Sequence, residues 1–311
     1  MIVDLFAGPG GWDEGLKMIG RADVLGIETD ALACETARAA GHERLRADVY
    51  STDPASLGDI EGIIASPPCQ GFSSAGLKAG RTDLDDIYDL LTCTAEGGHD
   101  LRGDYLMSMA DHRSLLLVEP LRYALKSSAR WLVLEQVPSV LPVWEWYAEE
   151  LAITGWSVDF GVLNAADFGV PQDRSRAILI ASLDKQAVLP KPIRSGPVAA
   201  SKIIGPGTHG FARRNDRDDG LTYRARDMRD NSRPAFTLTE KARSWAIVNP
   251  EGESRTLLAS EAGQLQSFPA DYPWQGSRSA QFLQIANAIP PLLAANVLMK
   301  ALDLGSLGAV A

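Results

Sequence analysis

"DLFAGPGGW" (residues 4–12) runs from an apolar stretch, Ile2–Phe6, through closely spaced glycines into "DEGLKMIG" (13–20), which reads as a helix. Strand, glycine turn and helix in that order are the opening of an α/β layer. Gly8, Gly10 and Gly11 let the backbone approach a ligand without a Cβ clash. A turn of this kind signals a nucleotide-like cofactor. The pattern is not GxGxxG, because Asp13 stands where the third glycine would fall. It also lacks the Lys-Ser/Thr pair of a phosphate loop. A pyrophosphate cofactor is therefore disfavoured, and an adenosine without phosphates is favoured.

The alternation continues downstream. "ADVLGIE" (22–28) precedes "ALACETARAAG", a helix that Gly41 ends. "IIAS" (63–66), "RWLVLE" (130–135), "WSVDFGVL" (156–163) and "RAILIAS" (176–182) read as strands. "RSLLLVEPLRYAL" (113–125) and "VWEWYAEELAITG" (143–155) have helical spacing. Strands alternating with helices predict a parallel sheet covered on both faces. Glu28 ends the second strand, about 20 residues past the glycine turn, where an acid hydrogen-bonds ribose hydroxyls. Asp48, in "RADV" (46–49), ends a third strand and is placed to reach an adenine amino group.

Residues 76–112 are low in periodicity and predict a long loop. From about Pro190 to Pro250 the alternation fails. Gly, Pro, Arg and Asp dominate there, with short runs such as "PAFTLT" and "SWAIV". A small second domain of strands and loops is expected. Helical spacing returns in "SEAGQLQSF" (260–268) and "PPLLAANVLMKAL" (290–302), with Pro290 or Pro291 starting the last helix. The predicted organisation is a catalytic and cofactor-binding domain over 1–189, a second domain over 190–278, and a segment over 279–311 returning to the first.

The 311 residues suit one large domain or two unequal ones. At 45% hydrophobic and 23% charged the composition is that of an ordinary globular protein. No run approaches the roughly 18 apolar residues of a membrane span, so no membrane is expected. "MIVDLF" reads as a strand, not as a signal peptide. Cys34, Cys69 and Cys93 are widely spaced and form no CxxC pair, which suggests neither a zinc site nor a disulfide frame. A reducing, cytoplasmic setting fits best. The net charge of -10 alone argues against nucleic-acid partners, since phosphate contacts need Lys and Arg. The charge is uneven, however: from Arg213 to Arg243 basic residues outnumber acidic ones.

"SPPCQGFS" (66–73) places Cys69 after two prolines, just past the carboxyl end of a strand. Open α/β sheets bind ligands there. Pro67 and Pro68 fix the backbone leading to the thiol.

Together these stretches resemble the DNA (cytosine-5) methyltransferase family, over nearly the whole chain and in the family's motif order. "DLFAGPGGW", "IETD" (27–30) and "RADV" resemble its first motifs, and "SPPCQGFS" its Pro-Cys motif. "LEQV" (134–137) stands for Glu-Asn-Val, and "FGVPQDRSRAILIA" (168–181) for Gln-x-Arg-x-Arg. "QLQSFP" (264–269) and "QIANAIPP" (284–291) resemble the last two. The resemblance implies a Rossmann-like class I methyltransferase sheet with a second, smaller target-recognition domain. It implies methyl transfer from S-adenosyl-L-methionine to carbon 5 of a flipped-out cytosine in double-stranded DNA, by a monomeric enzyme that needs no metal. Cys69 is then the nucleophile, with Glu135 acting on the ring and Arg174 and Arg176 orienting Glu135.

The implied cofactor residues are Phe6, Ala7, Gly8, Gly10, Gly11, Trp12, Glu28, Thr29, Asp48, Val49, Pro68, Asn287 and Ala288. The implied DNA-binding residues are Ser73, Lys78, Arg81, Arg213, Arg214, Arg224, Arg226 and Arg243. One departure stands out: Gln136 replaces the Asn that follows the catalytic Glu. Two alternatives are a cytosine-5 methyltransferase acting on RNA and a catalytically silent DNA-binding relative. The transfer-RNA branch carries a Cys-Phe-Thr tripeptide, and no cysteine follows Cys93 here.

Overall fold

Seven strands form the central sheet of the computed structural model: β1 (Ile2–Leu5), β2 (Val24–Glu28), β3 (Arg44–Arg46), β4 (Gly62–Ala65), β5 (Trp131–Gln136), β6 (Ser157–Asn164) and β7 (Ser175–Ser182). Their order is β3-β2-β1-β4-β5-β7-β6. The structure describes residues 1–68, 82–192, 196–211 and 228–304, and, for their backbone only, 213–214 and 221–222. Cys69, Ser73, Lys78, Arg81, Arg224 and Arg226 lie outside the described residues.

Strands β3, β2, β1, β4 and β5 are parallel, as the alternation predicts. The last two strands correct it. β7 runs antiparallel to both β5 and β6 and lies between them. The reason is the connection: only residues 165–174, with one 3-10 turn, join β6 to β7. A parallel pair needs a longer crossover, whereas antiparallel neighbours accept a short link.

Alternate residues of the strands feed two cores. Val3, Leu5, Ile63, Leu132, Leu134 and Leu179 face one layer, and Ile2, Ile64, Val133, Ile178 and Ile180 face the other. The first layer holds α3 (Leu84–Ala95), α5 (Glu119–Leu125) and α6 (Leu141–Ile153). The second holds α1 (Gly11–Met18) and the last helix, α10 (Pro291–Leu302), which pack on each other through Leu16, Leu293 and Val297. Helix α2 (Ala31–Ala39) follows β2 and is capped by the Asp30 carboxylate, which accepts from the Ala33 N–H at 2.7 Å.

The expected loop over 76–112 is corrected too. It contains α3, the short α4 (Arg102–Leu106) and the start of a 3-10 turn, His112–Leu117. Ile87, Leu90 and Leu91 share one buried face of α3, so this segment does carry helical spacing. Pro290 caps α10 and Pro291 occupies its first turn, as expected.

A second sheet follows the central one. Strands β8 (Thr208–Phe211), β11 (Met228–Asp230), β12 (Trp245–Val248) and β13 (Ser254–Thr256) are antiparallel in the order β11-β8-β12-β13. A two-stranded ribbon, β9 (Arg213–Arg214) with β10 (Leu221–Thr222), lies between β8 and β11 in sequence. Helices α7 (Ser201–Ile204) and α8 (Ala259–Leu265) flank this sheet. Its core, built on Trp245, Ile247, Leu257 and Leu265, also takes in Phe282 and Ile285 of α9 (Arg278–Asn287). Residues 278–302 are long and apolar enough by composition to cross a membrane, but 78% of the most apolar 18-residue stretch within them is buried inside the protein. The apolarity belongs to core packing.

Candidate active site

The carboxyl ends of β1, β2, β4 and β5 surround a cavity of about 470 Å³. Parallel strands place their following loops at that one end. The β1–α1 turn forms one wall. Gly11 closes against the C-terminal segment, where an added Cβ would collide with the Ile289 carbonyl. Glu28 braces this wall: its Oε2 accepts from the Gly8 N–H at 2.9 Å, and its Oε1 accepts from the N–H groups of Thr29 at 2.7 Å and Asp30 at 2.8 Å. Trp12 donates its indole N–H to Ser66 Oγ at 2.9 Å, which ties the glycine turn to the end of β4.

Twelve of the thirteen expected cofactor residues line the cavity. Gly10 does not. With φ of 115° it sits in the left-handed region at the start of α1, and a Cβ there would meet the Tyr272 hydroxyl at 2.6 Å. Its requirement for glycine is packing and backbone conformation. Asp13, which replaces the third glycine, lies buried and grips Arg44 with both oxygens, at 2.9 and 2.5 Å. Asp4 is also fully buried beneath this wall. Burial first, and then the charge of Asp13, push its carboxyl well above the usual carboxylate range.

Glu135 and Arg176 form the other end. Glu135 is the next-to-last residue of β5 and Arg176 the second of β7, and the antiparallel register brings these two strand ends together. Arg176 Nε stands 2.8 Å from Glu135 Oε1, and both side chains are largely buried. Arg174 also reaches the C-terminal segment. Its guanidinium donates to the carbonyls of Ala286 at 2.6 Å, Ala288 at 3.0 Å and Leu238 at 3.3 Å. It thereby holds the 286–288 segment in place while still lining the cavity. Pro67 and Pro68 line the same end. Gln136 donates its amide N–H to the Pro67 carbonyl at 2.6 Å, and its Oε1 accepts from the Val137 N–H.

Among the lining residues that the sequence reading missed are Ser66, Leu116 and Ile289. Leu116 lies in the apolar "RSLLLVEPL" run, where nothing local separates a cavity residue from a core residue. Of the expected DNA contacts, Arg243 is exposed and donates to the Glu240 carbonyl at 3.0 Å. Arg213 and Arg214 lie on the β9–β10 ribbon, paired with Thr222 and Leu221. Among the described residues no group of three His, Cys, Asp or Glu stands together to hold a metal ion.

A family model described as C-5 cytosine-specific DNA methylase matches residues 1–94, 105–204 and 198–302. The Type II methyltransferase M1.HphI of Haemophilus parahaemolyticus is 28% identical, over 94% of this chain and 84% of its own length. The Type II methyltransferase M.DdeI of Desulfomicrobium norvegicum is 26% identical, over 94% of this chain and 86% of its own. In fold, the solved S. pombe Dnmt2 methyltransferase is similar with a TM-score of 0.68 at 14% identity, covering 97% of this chain and 98% of that one.

Proposed function

The chain belongs to the C-5 cytosine-specific DNA methylase family, and from that premise we propose that it methylates carbon 5 of a cytosine flipped out of double-stranded DNA, through a covalent bond to Cys69. The observation that carries this reading is the make-up of one cavity. It joins the glycine wall and the carboxylates of Glu28 and Asp48 to the Glu135–Arg176 pair and to Pro68, the residue before Cys69.

The lining fits S-adenosyl-L-methionine. Carboxylates at Glu28, Asp30 and Asp48 suit hydroxyls, an amino group and positive charge, and would repel phosphates. Arg174 and Arg176, the cations of the lining, stand with Glu135 and the 286–288 segment. Glu28 and Asp48 would take the ribose and the adenine, with Phe6–Gly8, Gly11 and Trp12 along one side and Asn287–Ile289 along the other. The bound cofactor supplies an electrophilic methyl group.

The chain's own task is to make carbon 5 of cytosine nucleophilic. A free thiol has a pKa of about 8.5, so a minority is thiolate at neutral pH. The Cys69 thiolate adds to carbon 6, and the displaced ring electrons become available at carbon 5. Glu135 hydrogen-bonds N3 as negative charge develops there. Arg176 fixes the carboxyl group of Glu135 and directs further N–H groups at the base. After methyl transfer a base removes the proton from carbon 5. The electrons of that bond expel the thiolate and restore the double bond between carbons 5 and 6. Flipping is required because the target atom is hidden in a duplex. The smaller sheet, within 190–278, would read the sequence, with Arg243 and the β9–β10 ribbon toward the DNA.

The test is expression followed by bisulfite sequencing of a resident plasmid, which we expect to show methylated cytosine at one short motif. DNA containing 5-fluorocytosine should trap the protein covalently, with the adduct mapping to Cys69. Cys69→Ser should abolish transfer and keep cofactor binding. An adduct on Cys34 or Cys93, or active protein that forms none, would sink the mechanism.

A further inference from the structure

The turn that carries Asp48 and Val49 is held from behind by charged groups that touch neither the cavity nor the reacting atoms. Glu119 is fully buried at the start of α5. Its Oε2 accepts from Arg122 Nε at 2.7 Å, and its Oε1 accepts from Arg102 Nη1 at 2.6 Å. The same two arginines continue to the turn. Arg122 Nη2 donates to the carbonyls of Val49 at 2.8 Å and Thr52 at 3.1 Å. Arg102 Nη1 donates to the Tyr50 carbonyl at 2.9 Å, and its guanidinium lies 4.5 Å from the centre of the Tyr50 ring. Asp100 completes the Arg102 fork at 2.8 and 2.7 Å. Tyr50 in turn donates its N–H to Asp48 Oδ1 at 3.0 Å. An unbroken path of hydrogen bonds therefore runs from Glu119 through Arg102 and Tyr50 to the Asp48 carboxylate.

Buried charges are costly unless each is answered, and here two guanidiniums face two carboxylates. Arginine suits the place because its planar fork can bond several acceptors at fixed angles. The family model leaves residues 95–104 unmatched. Asp100 and Arg102 thus come from a segment that the family pattern does not describe.

We propose that Arg102, together with Glu119 and Arg122, forms a clasp that sets the shape of the Asp48–Thr52 turn and so the affinity for the adenosine end of the cofactor. The inference rests on the reading of Asp48 and Val49 as adenosine contacts. All three are positioning residues behind the cavity wall.

The test compares Arg102→Ala and Arg102→Lys with the wild type in the full chain. Calorimetric titration with S-adenosylhomocysteine reports affinity, and turnover at saturating cofactor reports chemistry. Lysine can answer Glu119 but cannot also hold Asp100 and the Tyr50 carbonyl. The Ala variant should bind S-adenosylhomocysteine roughly tenfold more weakly, the scale of one hydrogen bond to a charged group. The Lys variant should fall between Ala and wild type. Both should keep turnover at saturation and the DNA KM. If Ala fails to fold, the Lys variant decides alone. Unchanged affinity in the folded variants overturns the clasp, as does lost turnover at saturation with affinity intact. Asp48→Ala separates the premises. Weakened binding there, with the Arg102 variants unaffected, leaves the adenosine reading standing and removes the clasp. The reverse result removes the adenosine reading, and this inference with it.

Discussion

Gln136 ends β5 beside Glu135, and both ends of its amide are engaged. The N–H reaches the Pro67 carbonyl at 2.6 Å and the oxygen takes the Val137 N–H. The residue is 3% exposed, so a lost partner is costly to replace. Asparagine is one methylene shorter and would reach one of these groups, not both. Gln136→Asn should therefore leave a gap and an unpaired carbonyl at Pro67, two residues before the proposed nucleophile. The expected cost is about 1–3 kcal/mol, or roughly 5- to 150-fold in the rate of methyl transfer. Single-turnover measurement at saturating DNA and cofactor reads this directly. An unchanged rate would show that the Pro67 carbonyl tolerates the loss and that the turn is held by the prolines alone.

At the scale of elements, local chemistry was legible and long-range pairing was not. The β1–α1 turn could be read from Gly8, Gly11 and the run before them, because strand, turn and helix lie within twenty residues. Glu28 could be placed because the second strand ends on it. The antiparallel insertion of β7 depends on which strands meet in space, and only the short link at 165–174 hinted at it. Helix α3 was hidden because acids and threonines interrupt a short apolar face. The partnership of Asp13 with Arg44 spans 31 positions, and no local pattern announces it.

The second sheet carries another such pairing. His209, on β8, is fully buried; its Nδ1 lies 2.7 Å from Asn231 Oδ1, and the Phe236 N–H donates to its Nε2 at 3.3 Å. Accepting at Nε2 requires the ring to be neutral with its proton on Nδ1. Burial, the largest influence, lowers its pKa against the opposing effect of the hydrogen bond that it donates to Asn231. An exposed imidazole titrates at about 6.5. The stability that neutral His209 contributes is thus complete above about pH 6.5. It declines as pH falls from there toward the depressed value, because the unfolded chain takes up the proton first. Hydrogen exchange, corrected for its intrinsic pH dependence, should show β8, β11 and β12 losing protection between pH 7.5 and 5.5 before β1, β4 and β5 do. Equal loss in both sheets would mean that the effect is global and not seated at His209.

Across the whole molecule, the question is how a chain of net charge -10 holds DNA. The basic excess over 213–243 overstates the surface available for it. Arg229 is already engaged: it pairs with Asp173 at 2.5 Å, donates to the Pro234 carbonyl at 3.0 Å and lies 4.0 Å from the centre of the Phe236 ring. Lys241 and Arg243 differ, since both are exposed at the turn before β12. Phosphate contacts release counterions, so binding should weaken with salt at a slope of about -0.9 per phosphate neutralised. Lys241→Ala and Arg243→Ala should each lower that slope by about one unit if each meets a phosphate, and weaken all sequences alike. Arg243 reading guanine would instead relax the methylated motif at one position, at a cost of about 1–3 kcal/mol. Arg229→Ala should leave the slope unchanged and lower the melting temperature, because its bonds are internal. Filter binding across a salt series, with melting curves on the same proteins, separates these outcomes. If Lys241 and Arg243 can be removed without change in slope, affinity or motif, then the DNA surface lies elsewhere and the exposed turn is only solvated. If removing Arg229 lowers the slope, that guanidinium leaves Asp173 when DNA arrives, and the second sheet rearranges on binding.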